Sequence, residues 1–176
     1  VTADQSYIAA KSVSSFLARN HIYFDCNSVS PGTKKINSKI IMQSKAKYFD
    51  LAIMEPILDN KHKSKILISG NPEEKVLQFL NILEFNFKWV GKTVGDASTI
   101  KMLRSILIKG TQSLICECVT AAEKLGIDKK ILNSAGNTLG IKDLPVLADY
   151  LMERSIVHGE RQSSEMNEVA KTLSEL

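Results

Sequence analysis

The sequence predicts an α/β sheet domain followed by an all-α part, and three observations carry that prediction. Short apolar runs alternate with helical patterns over roughly the first 90 residues, as in a sheet covered by helices. From Gly95 onward the pattern is helical and strand signals stop. No apolar run approaches the ~20 residues that a membrane-spanning helix needs, so no membrane partner is expected. The 176 residues, 44% apolar and 24% charged, have an ordinary globular composition and suffice for one sizeable domain or two small ones.

The elements follow in order. A helix is expected at Asp4–Arg19, a strand at Ile22–Asn27, and a helix at Pro31–Ser44 with its proline in the first turn, where the missing N–H costs nothing. Strands at Tyr48–Met54 and Lys65–Ser69, a helix at Pro72–Leu83 and a strand at Phe87–Val90 complete the first part. The alternation implies a mainly parallel sheet. A long helix then opens after Gly95 and closes at Gly126, a residue suited to a left-handed C-terminal cap. Ile100, Leu103, Leu107, Leu114, Cys118, Ala121 and Leu125 recur at three- and four-residue spacing and form the stripe expected to be buried. Lys101, Ser105, Ile108 and Gln112 run along a different face. Gly110 costs about 1 kcal/mol against alanine, which close approach of another helix would offset. Further helices are expected at Asp128–Ser134, Lys142–His158 and about Glu160–Leu176. The change of pattern puts the domain boundary between residues 94 and 95.

Charge and cysteine usage exclude several classes. A net charge of +4 is mild, and few aromatics interleave with the lysine-rich region (Lys34, Lys35, Lys39, Lys45, Lys47, Lys61, Lys63, Lys65). That region reads as a solvated face, and no nucleic-acid partner is expected. Cys26, Cys116 and Cys118 have no metal-ligand spacing and leave an odd thiol, which points to a reducing cytoplasm. His21, His62 and His158 are scattered, so no metal site is expected.

The most informative stretch is Gly95-Asp96-Ala97-Ser98-Thr99-Ile100-Lys101-Met102-Leu103-Arg104-Ser105. A small-residue turn, with Asp96 or Ser98 as candidate N-cap, sets a lysine about one turn inside a helix. The helix start carries about half a positive charge, which disfavours an ammonium and moves it toward proton-transfer work. The bland alternative is a snorkelling surface lysine. This stretch resembles the Gly-x-Gly-x-x-x-Lys-x-x-Asn motif of the β-hydroxyacid dehydrogenases, the family of 3-hydroxyisobutyrate and 6-phosphogluconate dehydrogenases. Upstream, Phe24-Asp25-Cys26-Asn27-Ser28-Val29-Ser30-Pro31 resembles that family's Asp-x-Ser-Thr-x-x-Pro turn. Tyr48-Phe49-Asp50-Leu51-Ala52-Ile53-Met54 stands where the family has Asp-Ala-Pro-Val-Ser-Gly-Gly. The segment His158-Gly-x-Arg161-x-x-x-Glu165-Met166 points to a less-studied branch of 6-phosphogluconate-dehydrogenase-like proteins.

The resemblance implies an incomplete Rossmann-type sheet domain followed by a helical C-terminal domain, with substrate held in the cleft between them. It implies an NAD(P)-dependent oxidoreductase acting on the hydroxyl of a small hydroxy acid or sugar acid, with NADP or NAD as cofactor and a homodimer built on the helices. Lys101 would be the catalytic acid–base; Asn27, Ser28, Arg104 and Ser105 would bind substrate; Asn27, Ser30, Pro31 and Glu165 would meet the cofactor. Asn27 and Ser28 read equally well as a turn or cap before Pro31. His158, Arg161 and Glu165 share one helix face, read as solvent or interface more than pocket. Three departures stand out. Arg104 replaces the family's asparagine and would prefer a carboxylate or phosphate. Met54, Glu55 and Pro56 replace a serine and two glycines. No Gly-x-Gly-x-x-Gly occurs, so the chain is expected to be a fragment that binds a dinucleotide poorly alone. The alternative reading is a non-catalytic cofactor-binding or helical dimerisation protein that kept the fold.

Overall fold

The tripeptide Tyr-Phe-Asp occurs twice, at residues 23–25 and 48–50, and the two copies pair side by side. They lie on strands β1 (Ile22–Asp25) and β2 (Lys47–Ile53), which run parallel with Tyr23 beside Tyr48, Phe24 beside Phe49 and Asp25 beside Asp50. Like rings meet like: the tyrosines stack with centroids 5.7 Å apart and the phenylalanines lie 5.8 Å apart. The computed structural model describes residues 1–176, which fall into two compact units, residues 1–104 with 164–176, and residues 105–163.

In the first unit the sheet order is β1-β2-β3-β4, with β3 at Ile66–Ser69 and β4 at Phe87–Gly91. Helices α2 (Pro31–Gln43) and α4 (Glu74–Ile82) carry the parallel crossovers β1 to β2 and β3 to β4. Between β2 and β3 stand only α3 (Ile57–Asn60) and one turn at Lys61–Lys63, and the strands pair antiparallel. The sheet is therefore mixed where the alternation implied a mainly parallel one, because this link lacks a helix long enough to return the chain. Period-two alternation sends Phe49 and Leu51 to one face, where they pack with Ile66, Ile68, Val76 and Leu80. Tyr48 faces the other side with Ala10, Ile41 and Ala46. Farther along, Ala52 and Leu67 receive Ala97 of α5 (Asp96–Glu123). Fully burying side chains of the size of Phe49, Leu51 or Ile68 contributes about 1.5–3 kcal/mol each.

Helix α1 (Ser6–Ser14) stops short of the expected Arg19, since the Ser12 and Ser14 hydroxyls donate to backbone carbonyls and favour a turn.

The second unit holds the rest of α5, helix α6 (Asp128–Leu139) and most of α7 (Leu144–Ser174). Its core is Ile115, Leu132, Leu144 and Ala148. Gly136 lets α6 approach the next turn, since a Cβ there would meet the Ile141 carbonyl at 2.8 Å. Three expectations fail here. The stripe expected to be buried is open, with Leu107 72%, Leu114 68% and Leu125 73% exposed. Gln112 is buried instead, donating to Ser155 Oγ at 2.6 Å and Gln162 Oε1 at 2.9 Å. Helix α5 is apolar on more than one face, and this polar pairing selects which face turns to α7. Second, a Cβ on Gly110 would meet nothing within 4 Å, so no close helix approach explains that glycine. Third, α7 runs unbroken through Gly159 where two helices were expected, and α6 extends past Ser134 until Gly140 caps it at φ 69°. No helix is long and apolar enough to cross a membrane.

Open surroundings and helical backbone make Gly110→Ala and Gly159→Ala stabilising, by about 1 kcal/mol each. Thermal unfolding of the two variants checks this; a lower midpoint in either would refute the open-space reading.

Candidate active site

Pairing in register puts two carboxylates, Asp25 and Asp50, on directly opposed positions inside the sheet. Two such charges repel by a few kcal/mol even at an effective dielectric of about 20. One ammonium resolves the conflict. Lys34, on the first turns of α2, is fully buried, with Nζ 3.1 Å from Asp25 Oδ1 and 3.2 Å from Asp50 Oδ1. Its third donor reaches the Asp25 carbonyl at 2.6 Å. Lys34 thus departs from the solvated lysine face expected of this region; its charge is spent inside the sheet domain.

Each carboxylate also holds a part of the site. Asp25 Oδ1 accepts the Asn27 backbone N–H at 2.9 Å and the Asn27 side-chain amide at 2.7 Å, fixing the turn after β1. Its Oδ2 accepts Tyr48 O–H at 2.6 Å and Asn37 at 3.2 Å. Asp50 Oδ2 accepts the Ser98 N–H at 2.9 Å, and Oδ1 the Ser98 hydroxyl at 2.6 Å. Ser69 donates to Asp50 at 3.1 Å and accepts the Ala97 N–H at 3.0 Å. The first N–H groups of α5 are therefore satisfied from strands β2 and β3. Neither Asp96 nor Ser98 is the local cap that the sequence suggested; Asp96 turns back to the Thr93 N–H. The positive end of α5 also offsets the net negative charge of the two carboxylates and one lysine.

Gly95 precedes this helix at φ 107°, a conformation costly for any other residue. A Cβ there would lie 3.1 Å from Pro31, so the α5 start rests on the α2 start. Lys101, half-buried one turn farther on, donates from Nζ to Ser28 Oγ at 2.6 Å. Two residues 73 apart in sequence, one on a strand-end turn and one on a helix, are brought into direct contact.

The other expected site residues are placed as follows. Asn27 is half-buried, with its amide nitrogen committed to Asp25. Ser30 and Pro31 are buried; Ser30 Oγ caps α2 by accepting the Thr33 N–H at 3.2 Å. Arg104 is exposed and donates to the Met54 carbonyl at 3.3 Å, bringing together two of the three departures from the family pattern. Ser105 falls in the second unit. Glu165 lies half-buried on α7, while its neighbour Glu168 is the more deeply engaged residue. Glu168 accepts the Ser30 N–H at 2.8 Å and pairs with Lys171. Glu175 accepts the Gly32 N–H at 2.8 Å and the Ser30 hydroxyl at 3.0 Å.

Sequence reasoning missed Lys34, Asp50, Ser69, Glu168 and Glu175. For the pair of aspartates a signal existed, the repeated Tyr-Phe-Asp with a charge inside each apolar run. For the glutamates none existed, because a cap 138 or 143 residues away leaves no local spacing.

Residues 122–176 match the family described as a domain of unknown function, DUF1932. An uncharacterized 28.5 kDa protein in the 7S RNA 5′ region of Methanothermus fervidus is 34% identical over 150 residues, 85% of this chain and 57% of that protein. A conserved protein of unknown function, reported to be structurally similar to 3-hydroxyacid dehydrogenases, is 34% identical; the match has a TM-score of 0.80 and covers 100% of this chain and 66% of that one. Two further solved structures share the fold. 3-Hydroxyisobutyrate dehydrogenase from Salmonella typhimurium is 13% identical at TM-score 0.65, over 94% of this chain and 64% of its own. Imine reductase from Myxococcus stipitatus in complex with NADP+ is 21% identical at TM-score 0.57, over 90% and 54%. The chain spans between 57% and 66% of the length of its 34%-identical relatives. Its fold is that of the NAD(P)-dependent oxidoreductases, a mixed sheet part with a helical C-terminal region. Residues 122–176 thus carry a DUF1932 domain, and the solved structures the chain resembles are named as 3-hydroxyacid-dehydrogenase-like, 3-hydroxyisobutyrate dehydrogenase and imine reductase, in keeping with the resemblance drawn from the three motifs.

The network also fixes a pH dependence. Burial alone raises the Asp25 carboxyl, but the Lys34 ammonium and hydrogen bonds from Tyr48, Asn27 and Asn37 outweigh it and hold it below the usual carboxylate range. Burial, with the Asp25 charge and hydrogen bond added, pushes the Tyr48 phenol far up, so it stays a donor. A carboxyl depressed on folding stabilises above its unfolded value of about 3.9, and that contribution is lost as pH falls through the lower folded value. Thermal midpoints measured from about pH 7 down to about pH 2 should drop steeply below about pH 4, and less steeply in Asp25→Asn. Equal slopes in both proteins would contradict the assignment.

Proposed function

We propose that this chain carries the proton-transfer side of an NAD(P)-dependent oxidoreductase that acts on the hydroxyl of a small hydroxy acid or sugar acid. The observation that carries the reading is the 2.6 Å contact between Lys101 Nζ and Ser28 Oγ. It unites the two motifs that the family resemblance assigns to acid–base work and to substrate and nicotinamide. In the reducing direction the Lys101 ammonium gives a proton to the carbonyl oxygen as a hydride reaches the carbon; in the oxidising direction the amine takes the hydroxyl proton. Ser28 orients the reacting oxygen beside that nitrogen, and the exposed Arg104 guanidinium holds a substrate carboxylate.

The chain fits one end of the cofactor. Asn27 and Ser28, short polar groups on the turn at the carboxyl end of a strand, suit the carboxamide of a nicotinamide. NADP or NAD would supply the hydride. The pyrophosphate has no seat on α2, whose Ser30 and Gly32 N–H groups are held by Glu168 and Glu175. Ser30 and Pro31 then act by shaping the turn and Glu165 by its place on α7, and Ser105 stays a substrate candidate from the motif alone. Residues 1–94 would form the second half of the cofactor domain and residues 95–176 the helical domain. The exposed Leu107, Leu114 and Leu125 support a homodimer through those helices, and the three unpaired cysteines support a cytoplasmic setting.

A second reading, a cofactor-binding protein without turnover, rests on Glu55. Its carboxylate accepts Lys65 N–H at 2.7 Å and Asn60 at 3.1 Å in the loop where the family has glycines. One experiment separates the two. With the chain extended to the length of its relatives, turnover is measured against a panel of hydroxy acids with both nicotinamides. Lys101→Ala should lower kcat by about 10²–10⁴-fold while cofactor Kd stays unchanged. A parent protein that binds cofactor but turns over no substrate supports the second reading.

A further inference from the structure

We propose that Lys34 is a positioning residue for the Lys101–Ser28 site, tying the turn that holds Ser28 to the helix that holds Lys101 through its two buried carboxylate contacts. The inference rests on the reading of Lys101 and Ser28 as the reacting pair. The links on each side are short and all buried or half-buried. Lys34 meets Asp25, Asp25 meets the Asn27 N–H and amide, and Ser28 is the next residue. Lys34 also meets Asp50, Asp50 meets the Ser98 N–H and hydroxyl, and Lys101 follows on the same helix within one turn. Lys34 is the cation that both carboxylates meet, and they lie beside each other across paired strands. Without the ammonium they would separate, drawing the Asn27–Ser28 turn and the α5 start in different directions. A rigid frame of this kind is what a proton-transfer pair needs, since misplacement by about 1 Å costs on the order of 10²-fold in rate.

The test uses the chain as it stands and reads both ends without turnover, so it succeeds or fails independently of the substrate. Amide hydrogen exchange and pH-dependent acylation of the Lys101 amine, read by mass spectrometry, are compared in the parent and in Lys34→Met. A positioning role predicts a loss of protection of about tenfold or more at Asn27 and at Ala97–Ser98 together, with β3, β4 and α4 unchanged. It also predicts a changed Lys101 acylation profile while that of the exposed Lys75, within α4, stays fixed. Ser28→Ala should change the Lys101 profile without moving protection at Asn27 or Ala97. Loss confined to one end, or spread evenly over the whole unit, overturns the proposal. If Lys34→Met does not fold, the milder pair Asn27→Ala and Ser98→Ala decides in its place. Their effects on Lys101 acylation should be non-additive if Lys34 couples the two ends, and simple addition overturns it.

Discussion

An ammonium shared by two opposed carboxylates is the constraint on which the sheet unit depends. Parallel pairing in register puts Asp25 beside Asp50, an arrangement that like-charge repulsion disfavours. Lys34 converts the repulsion into a three-membered ionic contact with no exposed member. A buried ion pair is weak evidence for stability, because desolvation consumes much of the Coulomb gain. Its value here is specificity. Slipping β1 against β2 by one residue would send one aspartate to the apolar face occupied by Phe49 and Leu51, so only one register keeps both charges with Lys34.

The same contact joins elements remote in sequence. Helix α2 brings Lys34 from one side of β1, the strands bring the aspartates, and α5 brings Ser98. Gly95 completes the joint, because a left-handed residue without Cβ lets α5 start against Pro31. A glycine and a proline that read as ordinary punctuation in the sequence are thus in contact with one another. Small side chains at the helix start, Ala97 and Ser98, follow from the same crowding, both being buried against the sheet.

Much of the fold was legible in the sequence. Short apolar runs located all four strands within a residue or two, and proline, glycine and apolar spacing located the start of α2, α4 and α5, while α3 went unmarked and α7 read as two helices. The motif order also singles out Lys101 and Ser28, which the fold brings into contact. Three kinds of information were not legible. Strand direction between β2 and β3 depends on a linker too short for a crossover, which composition does not encode. The buried side of α5 was misread because leucines occupy the exposed face while Gln112 is satisfied by Ser155 and Gln162. Lys34 looked like one of eight neighbouring lysines, and only the pairing of two distant aspartates distinguishes it.

Both long-range caps follow one electrostatic rule. The start of α5 is satisfied by Asp50, and the start of α2 by Glu168 and Glu175, in each case a carboxylate from another element. A helix N-terminus bears a partial positive charge and unpaired donors, so an anion of any origin suits it. In many nucleotide-binding sheets that anion is a phosphate. In this unit the chain supplies its own, and Gly32 leaves the space for the Glu175 carboxylate that any larger residue would take. The two helix ends nearest Lys101 and Ser28 are therefore already neutralised. Beside them stand three side-chain groups, the Lys101 amine on the Ser28 hydroxyl and the Arg104 guanidinium on the Met54 carbonyl.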